Sequence, residues 1–172
     1  MTIKYTVKWN KTNFSDIIDV RSPAEFKEDH ISGSINLPVL NNEQRVNIGK
    51  IYKKESPFKA KKIGASLVSN NISKHLKKVL INKPGNWKPL IYCWRGGQRS
   101  KAFATVLSEI GWQVTILKGG YKTYRSAINN EINKLTKTSR FIVLKGPTGC
   151  AKTKILELLK NQGLSVLNLE EL

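Results

Sequence analysis

The spacing of apolar side chains changes along the chain, and the changes mark its elements. Tyr5 to Trp9 alternates apolar and polar positions, the period of a half-buried strand, and Asp16-Ile-Ile-Asp-Val20 is a shorter, more buried strand. Ser22-Pro23 puts a capping hydroxyl ahead of a proline, which predicts a short helix through Glu25 and Phe26 to about Glu28. A glycine turn after Ile31 leads into a short strand, Ser34-Ile-Asn-Leu37. Two helical patterns follow, Glu43 to Lys54 and a second from Ser56-Pro57 towards Lys78. In the second, Phe58, Ile63, Leu67, Ile72 and Leu76 recur near the helical period with lysines between them. After a turn at Lys83–Asn86, Leu90–Cys93 reads as a buried strand and a helix runs to about Ile110. Gln113–Leu117 is another strand, and Lys118-Gly-Gly-Tyr121 turns into a helix through Leu135. Strands alternating with helices predict an α/β domain with a mainly parallel sheet. Beyond Thr136–Ser139 the alternation restarts with strand 141–144, helix 153–159 and strand 164–167, and there it stops.

Charge divides the chain differently. Residues 1–43 carry five basic and six acidic side chains, residues 44–108 fifteen and one (Glu55), and residues 109–172 ten and five. Of the formal charge of +18, therefore, +14 lies in one central stretch that contains both helical patterns. A Lys-rich composition explains the choice of Lys over Arg, 24 to 6, but not the near absence of acids from 65 consecutive residues. Such a stretch predicts a surface that meets nucleic acid. Two cysteines make no disulfide framework, no N-terminal apolar run resembles a signal peptide, and no apolar run is long enough for a membrane span. The expectation is a soluble, cytoplasmic protein.

The sharpest chemistry lies in Tyr92-Cys-Trp-Arg-Gly-Gly-Gln-Arg-Ser100, between a strand and a helix. Loop amides leading into a helix N-terminus stabilise a thiolate, which makes Cys93 a candidate nucleophile. Trp94, Arg95, Gly96, Gly97, Gln98 and Arg99 would cradle a phosphate-like anion or a transferable sulfur around it. Trp94 either stacks on a base or packs beside the loop. His30 and His75 lack the neighbours of a metal ligand or general base, no metal site is expected, and Asp19 and Arg21 read as framework at the sheet edge.

A second motif, Gly146-Pro-Thr-Gly-Cys-Ala-Lys-Thr153, stands between an expected strand and an expected helix, as a phosphate-binding loop does. Gly146 and Gly149 would let amides reach phosphate, Lys152 would meet the terminal phosphates, and Thr153 would ligate Mg²⁺. Ala151 departs from the pattern, standing where the second glycine belongs. Only 34 residues run from Ser139 to Leu172, fewer than an autonomous domain needs. The expected organisation is a domain over 1–136 with a basic helical insertion at about 43–82, then an incomplete P-loop β-α-β segment over 137–172. Either this segment docks on the first domain or the chain is a truncated piece of a longer protein; truncation is the expectation, with a separate chain that completes the second domain as a further partner to consider.

Two chemistries use a Cys-x5-Arg-Ser arrangement: cysteine phosphatases form a phosphocysteine in it, and rhodaneses carry a persulfide in a related cradle. Asp16-Ile-Ile-Asp-Val-Arg-Ser-Pro-Ala-Glu-Phe26, His30-Ile-Ser-Gly-Ser-Ile-Asn-Leu-Pro38 and Leu117-Lys-Gly-Gly-Tyr121 resemble rhodanese signatures and favour the second. This loop has five residues between Cys and Arg where common small rhodaneses have four, which keeps phosphatase-like chemistry as a minority reading. With the P-loop, Ile51-Tyr-Lys-Lys-Glu-Ser-Pro-Phe58 and Leu117-Lys-Gly-Gly-Tyr-Lys-Thr-Tyr-Arg125, the chain resembles the tRNA 2-selenouridine synthase family from about Ile17 onward. That resemblance implies a transferase replacing sulfur by selenium in the wobble 2-thiouridine of tRNA. Cys93 would handle the chalcogen, selenophosphate and geranyl diphosphate would be co-substrates, an S-geranyl intermediate would form, and no cofactor would be tightly bound. The alternatives are a stand-alone sulfurtransferase carrying a Cys93 persulfide, and a non-catalytic basic fragment that binds tRNA.

Overall fold

The computed structural model describes residues 2–9 and 13–171. Five strands, β1 (Lys4–Thr6), β2 (Asp16–Asp19), β3 (Ile35–Asn36), β4 (Pro89–Tyr92) and β5 (Thr115–Leu117), form one sheet in the order β1-β5-β4-β2-β3. Every pairing is parallel, with Ile18 opposite Ile91 and Ile91 opposite Ile116 across the centre. Helices α1 (Pro23–Glu28), α2 (Asn42–Lys54), α3 (Pro57–His75) and α4 (Gln98–Ile110) supply crossovers that parallel strands require, and α5 (Gly120–Thr138) follows the last strand. A π-helical turn, Leu76–Leu80, extends α3.

Strand alternation sorts the core into two layers, because successive side chains point to opposite faces. Ile18, Ile91, Cys93 and Ile116 join Phe103, Leu107, Ile72 and Leu80 on one face. Ile17, Leu90, Tyr92 and Leu117 join Ile31 and Tyr121 on the other. The predicted helix starts hold for chemical reasons. Asn41 accepts the Gln44 amide at 2.8 Å and Ser56 accepts that of Lys59 at 3.3 Å, so each caps the helix after it. Pro23 and Pro57 occupy first-turn positions where the absent N–H has no partner to lose.

The chain divides into two compact units, Met1–Glu131 and Ile132–Leu172. In the second, the expected helix is present as α6 (Lys152–Asn161), followed by a 3₁₀ turn at Leu169–Glu171. The expected strands at 141–144 and 164–167 are not formed. A strand exists only with a hydrogen-bonded neighbour, and neither apolar segment has one; Ile142 is 96% exposed. The β-α-β expectation is corrected to the helix α6 between segments without regular structure.

Candidate active site

Cys93 follows the last residue of β4, so its side chain lies on the α4 side of the sheet and is buried. Gly97, the residue before α4, has no side chain to cap the helix, and its own N–H points at the Cys93 Sγ, 3.3 Å away. The Ser100 Oγ lies 3.3 Å from the same sulfur and donates to the Gly97 carbonyl at 3.0 Å. The sulfur is thus fixed between an amide N–H and a hydroxyl oxygen at the positive end of a helix.

The loop keeps its shape through a close crossing with the start of α5. Tyr121 N–H donates to the Cys93 carbonyl at 2.9 Å, and Lys122 N–H to that of Trp94 at 3.1 Å. Gly96 and Gly120 meet at the crossing, both with positive φ. A Cβ on Gly120 would overlap the Cys93 carbonyl oxygen and lie 2.6 Å from the Gly96 nitrogen, so only glycine fits there.

The other expected cradle residues divide. Arg95 is exposed and makes no ion pair among the described residues, so it remains available to an anion at the loop. Trp94 is partly exposed and packs one side towards Tyr121, with ring centroids 5.4 Å apart. Gln98, exposed, begins α4. With Arg99 it borders a cavity of about 440 Å³ against Ile48, Tyr52 and Val68 of the two insertion helices.

The Arg99 guanidinium is engaged by a carboxylate. It binds both carboxylate oxygens of Glu25, Nη1 to Oε2 at 2.7 Å and Nη2 to Oε1 at 3.1 Å. Glu25 also accepts from the N–H and the hydroxyl of Ser22 and lies 3.9 Å from the Nε of Arg45 on α2. Burial works against ionisation of Glu25, but the Arg99 hydrogen bonds and charge, with the Ser22 donors, outweigh it and hold the carboxyl at about 2.

Asp19 and Arg21 are framework as expected, although β2 is an interior strand rather than the sheet edge. Arg21 is fully buried, bound to both oxygens of Asp19 and to the Asp29 carbonyl, with its guanidinium 4.1 Å above the Tyr121 ring. Tyr121 donates a hydrogen bond to Asp29, and burial together with that bond pushes its hydroxyl up to about 12. His30 stacks on Phe26 and bonds the Phe26 carbonyl, while His75 bonds that of Pro38 at 2.9 Å.

In the carboxyl-terminal unit, the Lys152 ammonium turns back onto its own loop, donating to the Gly146 and Pro147 carbonyls at 3.0 and 2.8 Å. Gly149 has φ +83°, and Ala151 has φ +58°, the left-handed value that a glycine adopts without penalty. A Cβ on Gly146 would sit 2.7 Å from the sulfur of the exposed Cys150, which would have to turn aside. Thr153 is exposed in the first turn of α6. No strand leads into this loop among the described residues.

Sequence reasoning missed Ser100, Gly120 and Glu25. Ser100 closes the cysteine motif and Gly120 belongs to the glycine pair at 119–120, which was the available signal. The pairing of Glu25 with Arg99 spans 74 positions, and no local pattern reports it.

The family model for the rhodanese-like domain matches residues 3–127. Curated relatives named tRNA 2-selenouridine synthase include one from Bdellovibrio bacteriovorus, 35% identical over 164 residues that cover 91% of this chain and 41% of the relative. Another, from Nitrosomonas europaea, is 33% identical over 91% of this chain and 40% of the relative. A third, from Sulfurovum sp. strain NBC37-1, is 37% identical over 87% and 41%. The chain thus spans about two fifths of the length of these relatives. Among solved structures, the N-terminal domain of a Clostridium difficile 630 protein described as ATP/GTP-binding is 34% identical. It superposes with a TM-score of 0.57 over 65% of this chain and 87% of that one.

Proposed function

The chain belongs to the rhodanese-like domain family, and from that premise we propose that it serves a tRNA 2-selenouridine synthase-like transferase that exchanges sulfur for selenium in wobble 2-thiouridine. The observation that carries this reading is the buried Cys93 sulfur held by the Gly97 amide and the Ser100 hydroxyl at the start of α4. A thiol so placed meets the reacting chalcogen out of bulk water, while Arg95 stands open at the loop. Likeness to relatives bearing the synthase name supports the nucleoside, and the basic insertion supports tRNA as the polyanion. Selenophosphate is the proposed selenium donor and geranyl diphosphate the proposed co-substrate. Alkylation by the diphosphate turns the thiocarbonyl sulfur into a thioether and releases diphosphate. Selenium then bonds to C2, geranyl thiolate leaves, and water carries the phosphoryl group away as phosphate. Sulfur and selenium keep their oxidation states, so the exchange needs no oxidant. Gly146, Gly149, Lys152 and Thr153 are the proposed holders of a phosphate or diphosphate group, and the cytoplasm is the proposed setting. Among the described residues no helix is long and apolar enough to cross a membrane.

The test is nucleoside mass spectrometry of tRNA from a bacterial host that lacks its own selenation and expresses a protein containing this chain. The parent is expected to form 2-selenouridine, and Cys93→Ala to abolish it. Selenouridine retained by Cys93→Ala overturns the assigned role. Thiosulfate:cyanide turnover without selenouridine favours the plain sulfurtransferase. Tight tRNA binding with no turnover favours the binding fragment.

A further inference from the structure

Arg99 stands in the first turn of the helix whose leading amide meets the Cys93 sulfur, immediately before Ser100, which also touches that sulfur. A guanidinium grips a tetrahedral oxyanion with two parallel N–H groups, the same pair that it offers a carboxylate. Each terminal nitrogen of Arg99 gives one N–H to a Glu25 oxygen, so the end-on edge of the guanidinium is turned to that carboxylate, and only the Nε edge and the outward N–H groups are left for a second anion. Around the sulfur itself the polar contacts are neutral, the Gly97 N–H as donor and the Ser100 oxygen, whose own proton goes to the Gly97 carbonyl.

We propose that Glu25 is a positioning residue that holds the Arg99 guanidinium out of the Cys93 loop and so makes the loop a weak binder of phosphate-like oxyanions. Its charge exceeds what the start of α1 requires. Glu25 folds back to accept from the Ser22 N–H and hydroxyl, and a glutamine completes such a capping box equally well. What a glutamine cannot supply is the negative charge that Arg99 faces head-on and Arg45 from 3.9 Å. The same contact bears on the two chemistries open to a Cys-x5-Arg-Ser loop, since a phosphatase turns its arginine onto the phosphate and here the end-on edge of Arg99 faces Glu25. For the chalcogen-transfer reading, on which only this consequence rests, a loop that grips phosphate poorly does not retain the phosphate left by a selenophosphate donor.

Protection of Cys93 from iodoacetamide by sodium tungstate, read by peptide-resolved mass spectrometry on the full chain, tests the proposal. Peptide resolution matters because Cys150 is exposed and reacts as well. In Glu25→Gln the half-protecting tungstate concentration is expected to fall about tenfold, the scale of one charge-assisted hydrogen-bonded contact. In Glu25→Gln/Arg99→Leu it is expected to return to within about twofold of the parent, which a merely structural role of Glu25 does not predict. Equal protection of parent and Glu25→Gln overturns the proposal, and so does a gain that survives in the double variant. Should Glu25→Gln fail to fold, Glu25→Asp withdraws the carboxylate by one methylene and gives the same comparison at smaller amplitude. The readout needs neither tRNA nor selenium, so its failure leaves the selenation reading untouched, and failure of that reading leaves the tungstate result standing.

Discussion

At the scale of single residues, the Cys93 loop depends on atoms that are missing. Gly120 approaches the Cys93 carbonyl so closely that one methyl group has no room, and its φ of +62° penalises any side chain independently. Gly120→Ala is expected to lower stability in urea by about 3 kcal/mol and to speed alkylation of Cys93 as the loop opens. Unchanged stability would mean that the crossing is not close in solution. Glu25 titrates in the opposite sense from a strained group. Its carboxyl is held at about 2 rather than 4.5, so its contribution, roughly 3 kcal/mol at most, is complete above pH 4.5 and lost as pH falls towards 2. Carbon-13 spectra of the Glu25 carboxyl should show a midpoint near 2; a midpoint near 4.5 would show that Arg99 does not hold it. Neither effect is legible locally, because both partners arrive from elsewhere in the chain.

At the scale of elements, the chain as far as Leu135 was largely legible, since its hydrophobic period, its caps and its tertiary environment agree. The shift from period two to period three-and-a-half located all five strands and the helices between them. The sequence did not foretell the π-helical turn after α3, where the expected helix simply ran on to Lys78. It also overstated the strands at 141–144 and 164–167, because apolar runs record a preference while a ladder requires a neighbour. The insertion offers its own test. Lys50, Lys53 and Lys54 are exposed along one side of α2, beside Gly49 and the Arg45 that faces Glu25. Replacing all three by Ser should weaken tRNA binding and reduce the slope of log affinity against log salt by about 2 to 3. A slope that does not move would place the polyanion elsewhere.

At the scale of the molecule, topology sets when the site can exist. Lys4 pairs with Thr115 and Asp16 with Pro89, so the sheet is built from contacts between distant parts of the chain. Such a fold closes slowly, because long loops must be ordered before their contacts compensate. On the ribosome, β4 and its cysteine emerge well before the residues that complete their surroundings. The amides of Tyr121 and Lys122, which fix the Cys93 and Trp94 carbonyls, come nearly thirty residues later. Until they clear the exit tunnel, Cys93 is an ordinary thiol on a nascent chain, open to adventitious oxidants and to other cysteines. Its surroundings are thus completed by synthesis itself, at the moment the glycine crossing closes behind it.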